Sequence, residues 1–167
     1  MKKLLIILLS IVLIFSCNNG SDNSTESGFE TFKNLHENDK GTLTFSMPAF
    51  LFKMFVKSEK KDVKDAVNKI DDIDFFIQET ANEDFTDDLK KHILNKRYKS
   101  LMTFNEKGAD INIVTNGTDE KINEVVIVVN DSNKKSCVLL RIGGKFDSKS
   151  VKDLAEGIDI EGVAKYR

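Results

Sequence analysis

The chain has 167 residues and a formal net charge of −2, from 25 Lys+Arg against 27 Asp+Glu, with two cysteines, two histidines and one proline. That length suits one ordinary domain, and 40% hydrophobic with 31% charged residues excludes a disordered chain and a polytopic membrane protein. The slightly acidic balance argues against nucleic-acid binding, two cysteines cannot build a disulfide scaffold, and two histidines leave little material for a zinc site.

Lys2 and Lys3 precede Leu4–Phe15, a run whose only polar member is Ser10, and polarity changes abruptly after Cys17 at Asn18-Asn19-Gly20. This is the layout of a secretory signal. The apolar run is shorter than the roughly 20 residues a membrane-spanning helix needs. Ile14-Phe15-Ser16-Cys17 resembles the lipobox of bacterial lipoproteins, with a branched aliphatic residue three before the cysteine and a small residue directly before it. The resemblance implies cleavage between Ser16 and Cys17, a diacylglycerol on the Cys17 thiol, and acylation of the new amino terminus. Anchoring would be firm, since one acyl chain holds a protein only marginally and two or more hold it stably. The bland alternative is a plain secretory signal with an incidental cysteine. Cleavage would leave 151 residues with 23 basic against 27 acidic side chains, a net −4. Cys137 would then have no cysteine to pair with inside the mature chain.

Asn18–Gly28 holds no apolar residue and is expected to be a flexible leash. The expected organisation is therefore residues 1–16 signal, 17–28 lipidated cysteine and tether, and 29–167 a single domain. Phe29, Phe32 and Leu35-His36 lie at helical intervals up to Gly41. Thr42–Met47 alternates polar and apolar, as a strand does. Pro48 suits the first turn of a helix, and Ala49–Val56 is apolar all round except for Lys53, a pattern expected to be buried on most sides. Val63, Ala66, Val67 and Ile70 mark an amphipathic helix, and Asp72–Ile77 a strand. Asn82 or Thr86 could cap a helix running to about Arg97, with Phe85, Leu89 and Ile93 as its buried stripe. Then the period becomes strand-like: Tyr98–Phe104, Asp110–Thr115, Ile122–Val129 and Cys137–Ile142, separated by turn sequences that include Asn116-Gly117. Ser148 or Ser150 opens a last helix carrying Val151, Leu154, Ala155 and Ile158. The expectation is an α+β fold: a largely antiparallel sheet of five to six strands, ending in a four-strand meander, with helices packed on one face.

The order of these segments resembles the small Bacteroidetes-type envelope lipoproteins grouped as domain of unknown function 4252. The features that carry it are Phe50–Phe55, Ile70-Asp71-Asp72-Ile73-Asp74, Tyr98–Met102, Ile122–Ile127 and Gly143-Gly144-Lys145-Phe146-Asp147. The resemblance covers nearly all of Phe29–Ile158 and implies an envelope location and an α+β fold, but no reaction.

Chemistry-bearing residues are few. His36 and His92 are not in a metal-binding spacing, and His92 lies one helical turn from Asp88. Cys137 sits among Val138, Leu139 and Leu140, as a small buried hydrophobe would. Gly143-Gly144 suggests a turn or bulge, not a phosphate loop. Asp71, Asp72 and Asp74, and likewise Asp84, Asp87 and Asp88, are expected to be solvated acids. Glu124 is different: it lies inside an apolar strand, where an acid needs a partner or an edge, and Arg141 or a lysine is the expected partner. Phe45–Phe55 holds four phenylalanines and two methionines in eleven residues. These form either core or an adaptable groove, with Phe50, Phe52, Met54 and Phe55 as candidate lining.

No catalytic residue, metal or cofactor is expected. The expected function is that of a non-catalytic binding or interaction module, lipid-anchored at the outer membrane of a bacterial envelope, with a possible envelope protein partner. The alternative is a carrier or sensor of a small, lipid-like apolar ligand.

Overall fold

The computed structural model describes residues 27–55, 60–106 and 108–157. Ser16, Cys17, the expected signal and most of the expected tether lie outside the described residues, as does the side chain of Phe55.

In chain order the elements are α1 (Gly28–His36), β1 (Thr42–Pro48), α2 (Ala49–Phe55), α3 (Lys61–Asn68) and β2 (Ile70–Gln78). Then come α4 (Glu83–His92), β3 (Tyr98–Glu106), β4 (Ala109–Thr118), β5 (Lys121–Asp131), β6 (Ser136–Phe146) and α5 (Ser148–Gly157). The six strands form one open sheet in the order β1-β2-β6-β5-β4-β3, antiparallel at every step. The fold is α+β, and the C-terminal meander β3–β6 is as expected. The connection from β2 to β3 carries α4 across the sheet, because those strands stand near opposite edges.

The helices cover both faces, which corrects the expectation of one. On one face, Val63, Ala66 and Val67 of α3 and Val151 and Leu154 of α5 pack with Ile111, Ile113, Val125, Ile127, Leu140 and Ile142. On the other, Phe29 and Phe32 of α1 and Phe85 and Leu89 of α4 pack with Phe76, Val114, Val126, Val128 and Leu139. The physical reason lies in β5 itself. Its residues are buried on both sides of the pleat, and an antiparallel strand of that composition needs two covers. Each fully buried phenylalanine contributes roughly 1.5–3 kcal/mol, and α1 and α4 are joined through edge-to-face contacts of Phe32 with Phe76 and Phe85 at 5.4 and 5.1 Å.

Local chemistry sets the element ends. Asn82 caps α4, its side chain accepting from the Phe85 N–H at 2.8 Å. Ser148 opens α5, as expected, and Asp147 before it caps the helix, accepting from the Ser150 N–H at 2.8 Å. That bond and the Lys69 ammonium at 2.9 Å hold its carboxyl below the usual range. The Asn116-Gly117 pair stays within β4 as a bulge, Gly117 at φ 125°, and the chain reverses two residues later between Thr118 and Lys121. The tether boundary also moves: Ser27 and Gly28 belong to the folded unit. Ser27 caps α1, and a Cβ on Gly28 would stand 2.1 Å from the His92 carbonyl oxygen.

Candidate functional site

Two places gather the residues singled out in the sequence. The first is an apolar groove at the β1 end of the sheet. Alternation along β1 sends Leu43 and Phe45 to the face that also carries Phe75 and Ile77 of β2 and Val138 of β6. These five side chains, with Gln78, Glu79 and Lys134 at the rim, line a groove of about 810 Å³. Phe45 lies flat on Phe75, with ring centroids 4.5 Å apart and 11° between planes. Leu43 is 57% and Phe45 42% exposed.

This groove shares only Phe45 with the Phe45–Phe55 segment singled out in the sequence. Phe50, Phe52 and Met54 do not line it. They sit on α2, which was expected to be buried on most sides. Ala49 is buried and Phe52 packs on the core, but Phe50 and Met54, one turn apart, are 63% and 70% exposed. A seven-residue helix offers the sheet one narrow face, so apolar residues all round cannot all be covered. The signal for the groove was the strict alternation of Thr42–Met47. What it could not carry was that β1 would be an edge strand with its apolar side partly uncovered.

The second place is a polar network buried between α1 and the sheet. Glu124 is 3% exposed. One carboxylate oxygen accepts from Arg141 Nε at 3.1 Å and Ser27 Oγ at 3.2 Å, and the other from the Tyr98 hydroxyl at 3.0 Å. Arg141 Nη1 also donates to Asp72 and Asp74, each at 2.6 Å, and Ser46 Oγ donates to Asp74. The Tyr98 oxygen accepts from the Phe29 N–H at 3.1 Å. The pairing of Glu124 with Arg141 is as expected, but Asp74 is a buried ion-pair member and not a solvated acid. Burial, reinforced by the Glu124 charge, pushes the Tyr98 hydroxyl above its ordinary range. Burial alone would weaken the Arg141 cation, but the charges of Asp72 and Glu124 more than offset it and raise its pKa. Gly143 sits at the expected bulge and makes this possible, since a Cβ there would stand 2.2 Å from Asp72 Oδ1.

The histidines are brought near one carboxylate. His36 Nδ1 lies 2.7 Å from Asp39, its Nε2 lies 3.3 Å from Asp88, and His92 Nε2 lies 4.0 Å from Asp88. Among the described residues no group of three His, Cys, Asp or Glu is placed to hold a metal ion. Cys137 is fully buried in the aromatic core beside Leu139 and Phe76.

Residues 32–154 match the model of a family described as Domain of unknown function (DUF4252). The chain belongs to the DUF4252 family. No curated protein and no solved structure matches it. The DUF4252 match contains the whole groove and six of the network's side chains, Ser46, Asp72, Asp74, Tyr98, Glu124 and Arg141. Ser27 and Phe29, through which α1 engages that network, precede it.

Proposed function

We propose that this DUF4252 protein is a lipid-anchored lipoprotein of the bacterial envelope and acts as a non-catalytic binding module, with the groove of Leu43, Phe45, Phe75, Ile77 and Val138 as its contact surface. The exposed apolar floor of that groove carries the proposal. Large aromatic and aliphatic side chains left open next to each other mark interaction sites more often than isolated exposed ones do. The polar network is taken as structural: Glu124, Asp74, Arg141 and Tyr98 hydrogen-bond one another, and buried polar groups paired in this way hold a domain together. Membrane attachment through Cys17 rests on the lipobox resemblance and on the polar tether that follows it.

A second reading, a carrier of a small apolar ligand, draws on the same groove, whose volume falls in the range of small-molecule sites. The two separate in one experiment. The native lipoprotein is purified from solubilised envelopes beside an Ile77→Lys variant whose folding is checked by circular dichroism. Recurrent protein partners lost in the variant support the binding module, and co-purifying lipid lost in the variant supports the carrier. Identical recovery from both forms removes the groove from either function.

A further inference from the structure

The two edges of the sheet are built differently. β3, at one edge, carries Lys99 and Glu106 and a bulge between Ser100 and Met102, the devices by which edge strands are kept from pairing with other chains. β1, at the other edge, has none of these over most of its length. Its register with β2 is unbroken from Thr42↔Gln78 to Pro48↔Asp72, and none of its seven side chains is charged. Pro48, at its last position, is the one residue that resists further pairing. The Glu79 N–H donates to the Gly41 carbonyl, so antiparallel alternation turns the backbone groups of Leu43, Phe45 and Met47 toward β2 and those of Thr44 and Ser46 outward. No strand pairs with that outer side among the described residues.

We propose that β1 is the interface for a second copy of this chain, the two β1 strands pairing antiparallel about a two-fold axis through Thr44. The alternation requires outward residues to pair with outward ones, and centring the contact on Thr44 gives the longest such overlap that keeps Pro48 outside the pairing. Thr44 meets its own copy as a hydrogen-bonded pair, Thr42 faces Ser46, and Leu43 faces Phe45. The last is a non-hydrogen-bonded pair, where side chains come closest. Every residue thus meets a compatible one. A hydroxyl faces a hydroxyl and an aliphatic side chain faces an aromatic one. No like charges are brought together, because the strand carries none. Pro48 falls opposite position 40, before the partner strand begins, so its missing N–H breaks no bond. An isologous contact of this kind closes on itself and leaves no further free edge of the same type. It joins the two sheets into one of twelve strands and makes the two grooves neighbours on one face. The proposal shares Leu43 and Phe45 with the binding reading but rests on the backbone edge of β1, so it stands or falls independently of what lies over Phe75, Ile77 and Val138.

The test uses the full chain purified in detergent at about 100 µM, with protein mass per micelle from sedimentation and light scattering. The expected mass is that of two copies. Thr44→Pro removes only an outward N–H and is expected to halve the mass with an unchanged far-ultraviolet spectrum. If that variant fails to fold, Thr44→Lys places two like charges at the axis and is expected to do the same. A Leu43→Cys variant mixed with a Phe45→Cys variant is expected to form an intermolecular disulfide absent from either alone. A one-copy mass for the natural chain, a two-copy mass that both Thr44 variants retain, or cross-linking without the mixed pairing would overturn the proposal. A one-copy mass for the natural chain together with a retained pull-down result would separate the failure of this proposal from that of the binding reading.

Discussion

Tyr98 does two jobs with one oxygen: it donates to buried Glu124 and accepts from the first turn of α1. Tyr98→Phe removes both bonds and leaves Glu124 and the Phe29 N–H short of a partner, a cost of about 1–3 kcal/mol in denaturant unfolding. The pH dependence has a definite sign. The folded-state pKa of Tyr98 lies above its unfolded value near 10. Below pH 10 both states keep the proton and the contribution is intact. Above it the unfolded chain ionises first, so stability falls as pH rises. The gap between natural and Tyr98→Phe proteins should therefore hold up to about pH 10 and narrow progressively above it, and a constant gap would refute the assignment. At this scale the sequence was partly legible. Glu124 stood out as an acid in an apolar strand that needed a partner, with Arg141 or a lysine as the candidates. Asp72, Asp74 and Tyr98 were not legible as members, because their convergence depends on strand order, which composition does not encode even where the bulge at Gly143 was foreseen.

Most elements were visible in the periodicity, and their misplacements have local causes. The helix from Ala49 was legible as apolar but not as half-exposed, since burial depends on the space left beside α3. The helix after Asn82 stops at His92, short of the Arg97 expected, and the Asn95 side chain donates back to the Lys91 carbonyl near its end. Asparagine bonding of this kind competes with helix continuation. The start of α1 was the more consequential error. A polar stretch without apolar residues has no core signal, yet its last two residues are built in by a cap and by close approach. Gly28→Ala should therefore destabilise the domain more than Ser27→Ala. The added methyl meets the His92 carbonyl and the Tyr98 ring with no space to relax, whereas loss of the cap costs about 1 kcal/mol. Thermal unfolding of the two variants side by side checks the order, and equal midpoints would show that α1 enters the fold less tightly than its geometry indicates.

At the scale of the whole molecule, the position of α1 bears on how the domain would be held. Ser27, the N-cap of α1, is the first described residue, and it is bonded into the centre of the sheet through Glu124. Any pull from an anchor at Cys17 would be delivered to an ion network in the core, not to a fraying terminus. Ten residues from Cys17 to Ser27 can span at most about 33–36 Å, so a domain anchored there stays within roughly its own diameter of the lipid. The β1 edge and its groove would then face partners in the same membrane more readily than partners in bulk solution. The consequence is checked by fractionation. Cys17→Ala keeps every described residue, so its folded domain should unfold at the same midpoint as the natural form once both are in detergent. Its distribution should differ sharply, with the natural protein in the membrane pellet and the variant either in the soluble fraction or retained as an uncleaved precursor that alkaline carbonate extracts. A variant that stays carbonate-resistant in the membrane would mean that residues 4–15 themselves hold the protein there, and the lipid anchor would have to be abandoned.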